Sequence, residues 1–169
     1  MDLSALRAFV FDLDGCVYTG SRLVPGVLEV LQRLRATGRR VLFLTNNSRQ
    51  DGVELQAKLG GLGVPADRRE ILSAAEVTGA EVRRRLGPAR ILAIGSPTLL
   101  RLLGEAGHTL VGPDSPEGPR GVVVGHDPEF TYAKLAGLAR AVARGATFFA
   151  VNADPQLPLE NGTFLPGCG

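Results

Sequence analysis

The chain has 169 residues, 44% hydrophobic and 21% charged, with a net charge of only +2, which is the composition of a globular protein of one ordinary domain or two small ones. Seventeen of the nineteen basic residues are arginines scattered among the acids; no stacking aromatics interleave with them, so no nucleic-acid partner is expected. Cys16 and Cys168 are the only cysteines and form no metal-type spacing, no apolar run reaches the length of a membrane span, and the N-terminus lacks a signal-peptide pattern; no membrane partner is expected, and the expected location is the cytoplasm.

Taken in order, residues 7–13 predict a buried strand. Val27, Leu28, Val30, Leu31 and Leu34 recur at helical spacing over 26–37, with Pro25 near the start and Gly38 as a stop signal. A second apolar strand, 41–44, runs into Thr45-Asn46-Asn47-Ser48, and a helix over 51–59 follows, closed by the glycines at 60, 61 and 63. Ile71-Leu72 predicts a short strand, 75–86 a third helix, and Gly87-Pro88 a boundary. A new cycle then begins: strand 90–94, helix 97–106, strand 108–111, a Pro/Gly-rich loop 112–120, strand 121–125, helix 132–143 and strand 147–151. Nothing after Val151 reads as another core strand. Strands alternating with helices predict an α/β fold with parallel sheets, whose strand C-termini share one edge.

The most informative segment is Phe9-Val10-Phe11-Asp12-Leu13-Asp14-Gly15-Cys16. In an extended chain, residues i and i+2 share a face, so Asp12 and Asp14 converge beyond the strand's C-terminal end, where ligands bind in open α/β sheets. Two converging carboxylates repel unless a cation or a shared proton separates them. The simplest reading is Mg²⁺ with a phosphate partner; the bland one is a pair of solvated loop carboxylates. Thr45 to Ser48 offer hydroxyls, amides and N–H groups that suit an anion at a helix N-terminus, or a plain helix cap. A carboxylate can attack phosphorus, its neighbour can move the proton, and Gly15 permits a sharp turn.

Phe-Asp-Leu-Asp-Gly-Cys-Val-Tyr-Thr-Gly followed by Phe-Leu-Thr-Asn-Asn-Ser resembles the first two motifs of the haloacid dehalogenase (HAD) superfamily. The resemblance is closest to its NagD-like or p-nitrophenylphosphatase-like branch. Segments 124–135, 145–154 and 166–169 are similar to the signature of that branch's α/β cap. The resemblance implies a Rossmann-like parallel-sheet core, represented by three N-terminal strands in residues 1–78, and a cap in residues 79–169. It implies Asp12 as nucleophile, Asp14 as general acid/base, Thr45, Asn46 and Gly15 around the phosphate, and Mg²⁺ held by the Asp12 side chain and the Asp14 carbonyl. The family's third-motif lysine and fourth-motif acids lie after the cap, and the 169 residues do not contain them. The chain therefore reads as truncated after the cap, and a chain that ended naturally at Gly169 would be expected to self-associate through the first strand.

Two functions follow. One is a Mg²⁺-dependent phosphomonoester hydrolase acting on a small phosphorylated metabolite through an aspartyl-phosphate, with a homodimer through the cap allowed by the resemblance. The other is a catalytically inactive fragment or binding remnant. For the remaining polar groups, His126 and Asp127 read either as cap contacts to substrate or as a turn in which Asp127 helps cap the helix starting near Thr131. Asn152 and Asp154 read either as facing the active site or as an Asx turn before Pro155. Lys58 reads as exposed on the second helix, and Phe130 and Tyr132 as packing residues.

Overall fold

The computed structural model describes residues 5–158 and 162–169; residues 1–4 and 159–161, which fall within the two predicted domains, lie outside the described residues. The chain divides into two compact units, one of Met1–Thr45, Gly52–Leu72 and Pro158–Phe164, the other of Asn46–Asp51, Ser73–Leu157 and Leu165–Gly169.

The first unit carries β1 (Ala8–Phe11), a ribbon of β2 (Tyr18–Thr19) and β3 (Arg22–Leu23), α1 (Val27–Ala36), β4 (Arg40–Thr45), α2 (Gly52–Gly61), a 3-10 turn (Arg68–Glu70) and most of β5 (Ile71–Ser73). The sheet order is β1-β4-β5. β1 and β4 run parallel, with Ala8 opposite Arg40 and Phe11 opposite Phe43. Along β4 the side chains alternate: Val41, Phe43 and Thr45 are buried, Leu42 and Leu44 exposed. The buried apolar pair packs with Leu31 of α1 and Leu55 and Leu59 of α2 into one core. Leu13, Val17 and Tyr18 join that core with 0% exposure, which ties the loop after β1 to the helix side of the sheet. The predicted burial of β1 needs correction, since Val10 is 59% exposed. Among the described strands β1 has one neighbour and lies at the sheet's edge, and Val10 lies exposed as do Leu42 and Leu44 of the central strand β4, because exposure is set by which face the helices cover and not by edge position.

The second unit carries α3 (Ala74–Leu86), β6 (Arg90–Ile94), α4 (Pro97–Glu105), β7 (Thr109–Leu110), β8 (Gly121–Val124), α5 (Tyr132–Ala143), β9 (Thr147–Ala150) and most of a ribbon of β10 (Gln156–Pro158) and β11 (Phe164–Pro166). Its four-stranded sheet has the order β7-β6-β8-β9 and is parallel throughout. Both faces are covered. Ile91, Val123 and Phe149 pack with Val82, Leu99 and Leu103 of α3 and α4, and Leu92, Ile94 and Val122 pack with Leu138 and Ala141 of α5. Two-sided burial explains the unbroken Val122-Val123-Val124 run. Helix starts follow local chemistry. Ser73 and Glu76 form a reciprocal capping box for α3, Ser96 caps α4 with Pro97 at its first position, and Thr131 caps α5.

The helices and main strands fall where periodicity predicts them. The two ribbons went unread, because strands of two or three residues leave no periodic signal. Tyr132, 83% exposed, is not a packing residue: it is the first residue of α5 and lies open to solvent.

Candidate active site

β1 ends at Phe11, so Asp12 and Asp14 lie in the loop that leaves it and not on the strand itself. Leu13 between them is fully buried, Asp12 is exposed and Asp14 half-buried; burial of Leu13 pins the loop while its flanking acids stay accessible. Asp12 Oδ1 accepts from the Leu13 N–H at 2.8 Å. The Leu13 carbonyl accepts from the N–H groups of Val17 at 2.9 Å and Tyr18 at 3.1 Å, and Gly15 N–H donates to the Tyr18 carbonyl at 2.7 Å. Gly15 has φ +83, and a Cβ added there would meet no heavy atom within 4 Å, so glycine is required for its left-handed backbone and not for want of space. The loop thus closes on Tyr18, a fully buried ring.

Lys58 is half-buried and not exposed as predicted: its Nζ lies 3.8 Å from the Tyr18 ring centroid. The ring that closes the acid loop offers a π face to the cation. Nothing in the local sequence signals this contact, which joins residues far apart in the chain.

Thr45 is the last residue of β4 and 3% exposed. Since β1 and β4 are adjacent and parallel, the loop bearing Asp12, Asp14 and Gly15 and the end of β4 leave the sheet at one edge. Asn46 follows Thr45 and opens the segment Asn46–Asp51, which belongs to the second unit. The expectation of a helix N-terminus at Thr45–Ser48 needs correction, because α2 begins at Gly52. Asn47 Oδ1 instead caps a turn, accepting from the N–H groups of Arg49 at 2.8 Å and Gln50 at 3.1 Å. Ser48, 3% exposed, accepts from His126 N–H at 3.0 Å, and Ser96 donates to the Arg49 carbonyl at 2.9 Å. These bonds draw the segment out as a loop before the helix starts.

His126 and Asp127 follow β8 in the second unit. Burial, reinforced by the Arg49 charge, pushes the His126 imidazole below its ordinary pKa. Asp127 Oδ2 pairs with Lys134 Nζ at 2.6 Å and its Oδ1 accepts from Glu129 N–H at 2.9 Å. Asp127 therefore braces a turn, while Thr131 caps the helix. Asn152 and Asp154 do form the Asx turn, Asp154 N–H donating to Asn152 Oδ1 at 3.1 Å.

Asp12 and Asp14 present hard oxygen donors of the kind Mg²⁺ takes. Among the described residues no three His, Cys, Asp or Glu side chains gather closely enough to hold a metal ion. In donor chemistry the two carboxylates fit Mg²⁺.

Fold and strand-end chemistry together define a class: an α/β chain with parallel sheets that carries its acids and hydroxyls at the carboxyl ends of strands. The chain belongs to the haloacid dehalogenase-like hydrolase family, whose model matches residues 9–109, and sits with the NagD and p-nitrophenylphosphatase branch. Human glycerol-3-phosphate phosphatase is 36% identical over 192 aligned positions, covering 99% of this chain and 60% of its own length. The 4-nitrophenylphosphatase of Thermotoga maritima superposes with a TM-score of 0.85 at 29% identity, covering 97% of this chain and 61% of that one. The glycerol phosphate phosphatase of Mycobacterium tuberculosis, solved in complex with magnesium, gives a TM-score of 0.87 at 32% identity, over 97% of this chain and 49% of that one. The chain thus spans about 60% of the length of the human relative it matches. No helix among the described residues is long and apolar enough to cross a membrane.

Proposed function

We propose that this chain carries the attacking half of a phosphomonoester hydrolase that works on a small phosphorylated metabolite, with residues 1–78 as the N-terminal part of the core and 79–169 as an α/β cap. The observation that carries the reading is the parallel pairing of β1 with β4, which sets the Asp12–Gly15 loop and Thr45 at one sheet edge in a chain of this family.

An Asp12 carboxylate oxygen attacks phosphorus as the bond from phosphorus to the ester oxygen breaks, leaving an aspartyl-phosphate. Asp14, entering as the carboxylic acid, gives its proton to the departing oxygen. As the carboxylate, Asp14 then takes a proton from water, whose oxygen attacks phosphorus and releases phosphate and the Asp12 carboxylate. Thr45 Oγ and the Asn46 N–H donate to the phosphoryl oxygens, and Gly15 gives the loop its turn. The Asp12 side chain and Asp14 carbonyl would hold Mg²⁺, which when bound supplies positive charge between two anions. His126 and Asp127 are the cap's candidates for selecting the leaving group. The human and mycobacterial relatives are phosphatases of glycerol phosphate, which supports an alcohol phosphate as the substrate class.

A second reading is a binding remnant without turnover. One assay separates the two: p-nitrophenyl phosphate hydrolysis with Mg²⁺, with EDTA, and by Asp12→Asn. Release that requires both the metal and Asp12 supports the hydrolase; release no greater than that of the variant supports the remnant.

A further inference from the structure

Asn46 is anchored twice, by residues more than a hundred positions away. Its side-chain Nδ2 donates to Asp154 Oδ2, and its carbonyl accepts from Asn152 Nδ2 at 2.9 Å. The anchors are themselves held. Asn152 Oδ1 accepts from Asp154 N–H at 3.1 Å and from the Cys168 thiol at 3.1 Å, and the Asp154 carbonyl accepts from Gly169 N–H at 3.0 Å. This pattern fixes the Asn152 amide one way round. Its oxygen faces two donors and its nitrogen faces a carbonyl; the flipped amide would set donor against donor.

The rest of the segment is held in the same manner. In the β7-β6-β8-β9 sheet β6 has β7 on one side and β8 on the other, so the loops after β6 and β8 flank a switch point of the kind that receives ligands in α/β sheets. Here the chain's own segment Asn46–Asp51 is bound by those loops, through Ser96 after β6 and His126 after β8. Gly125 permits the close approach: a Cβ there would lie 3.3 Å from Ser48 Cβ. Asp51 pairs with Arg101 of α4 at 2.6 Å. Carbonyl and side chain of Asn46 are both held, so its backbone N–H, next to Thr45, is held in direction as well.

We infer that Asn152 and Asp154 are positioning residues, which orient the Asn46 N–H for the phosphoryl group; the inference rests on the hydrolase reading above. Asp154 acts through the Asn46 side chain and Asn152 through its carbonyl. Loss of one such hydrogen bond weakens phosphate binding by roughly 3- to 10-fold, the span of a single net hydrogen bond.

The test uses the full chain. Binding of inorganic phosphate and hydrolysis of p-nitrophenyl phosphate are measured for wild type, Asp154→Ala, Asp154→Asn, Asn46→Ala and the Asn46→Ala/Asp154→Ala double variant, with hydrogen exchange of the Asn46 amide followed in parallel. Asp154→Ala should weaken phosphate binding by the stated factor and accelerate exchange at Asn46, and Asp154→Asn, which keeps an acceptor oxygen, should restore most of both. In the Asn46→Ala background Asp154→Ala should add nothing, whereas a purely structural role would persist there. Unchanged exchange and unchanged phosphate affinity in Asp154→Ala overturn the inference, as does an equal effect in both backgrounds. If the wild type binds no phosphate while Asn46 exchange still responds to Asp154→Ala, the hydrolase reading falls and the anchoring stands.

Discussion

Gly125 closes β8 against the Asn46–Asp51 segment, and Gly125→Ala measures how tightly that contact is built. The new Cβ would lie 2.7 Å from Leu99 Cδ2, 3.3 Å from Ser48 Cβ and 3.5 Å from Val151 Cγ2. Leu99 has 0% exposure, and its Cδ2 also fills the space that a Cβ on Gly95 would take, 2.6 Å from that position, so it has little room to yield. Overpacking of this kind costs about 1–3 kcal/mol. The lower unfolded-state entropy of alanine returns roughly 0.4–1 kcal/mol, leaving a net loss centred on about 1 kcal/mol. Urea denaturation of the variant reads this directly. The same substitution in a Leu99→Val background, where the δ-methyls are gone and only the Ser48 contact stays tight, should cost clearly less, because two residues that share one clash are not additive. A neutral Gly125→Ala, or a cost that is the same in both backgrounds, would refute the packing argument.

Two further outcomes follow from the geometry. Lys58→Met should lower stability by about 1 kcal/mol through loss of the cation over Tyr18, with Lys58→Arg retaining most of it in the same urea measurement; equal losses in the two variants would remove the cation–π contact from the account. His126 has a folded-state pKa below its ordinary 6.5, so the unfolded chain binds the extra proton first. Its contribution to stability is complete above pH 6.5 and is lost as pH falls through the lower folded value. A stability–pH curve for His126→Gln should be flatter than wild type over that window, and parallel curves would count against it.

Much of the fold was legible because its signals are local. The Val122–Val124 run, the helical spacing from Val27 to Leu34 and the Ser73 and Ser96 caps each specify an element from within a few residues. That the acid pair and Thr45 come to one sheet edge was legible because two apolar strands lead into them and parallel pairing takes both ends there. The unread parts depend on long-range contacts. Lys58 meets Tyr18, and Asn152 and Asp154 meet Asn46, across separations that carry no periodic trace. Thr45–Ser48 looked like a helix cap because their residue types suit one. Bonds from Ser96 and His126 hold the segment as a loop, which no propensity encodes. The predicted burial of the first strand followed from its apolar residues alone, whereas the exposure of Val10 is set by which faces find a partner.

With Asp12 as the nucleophile, the phosphoryl group passes through its carboxylate, where covalent capture should find it. The full chain mixed with p-nitrophenyl phosphate and Mg²⁺, quenched in acid within the first turnover and analysed by peptide mass spectrometry, should carry one phosphoryl group on Asp12, stable in acid and released by hydroxylamine. The Asp12→Asn variant should carry none. Turnover of substrate with no phosphoryl group on Asp12, or with the group on another residue, would contradict the account.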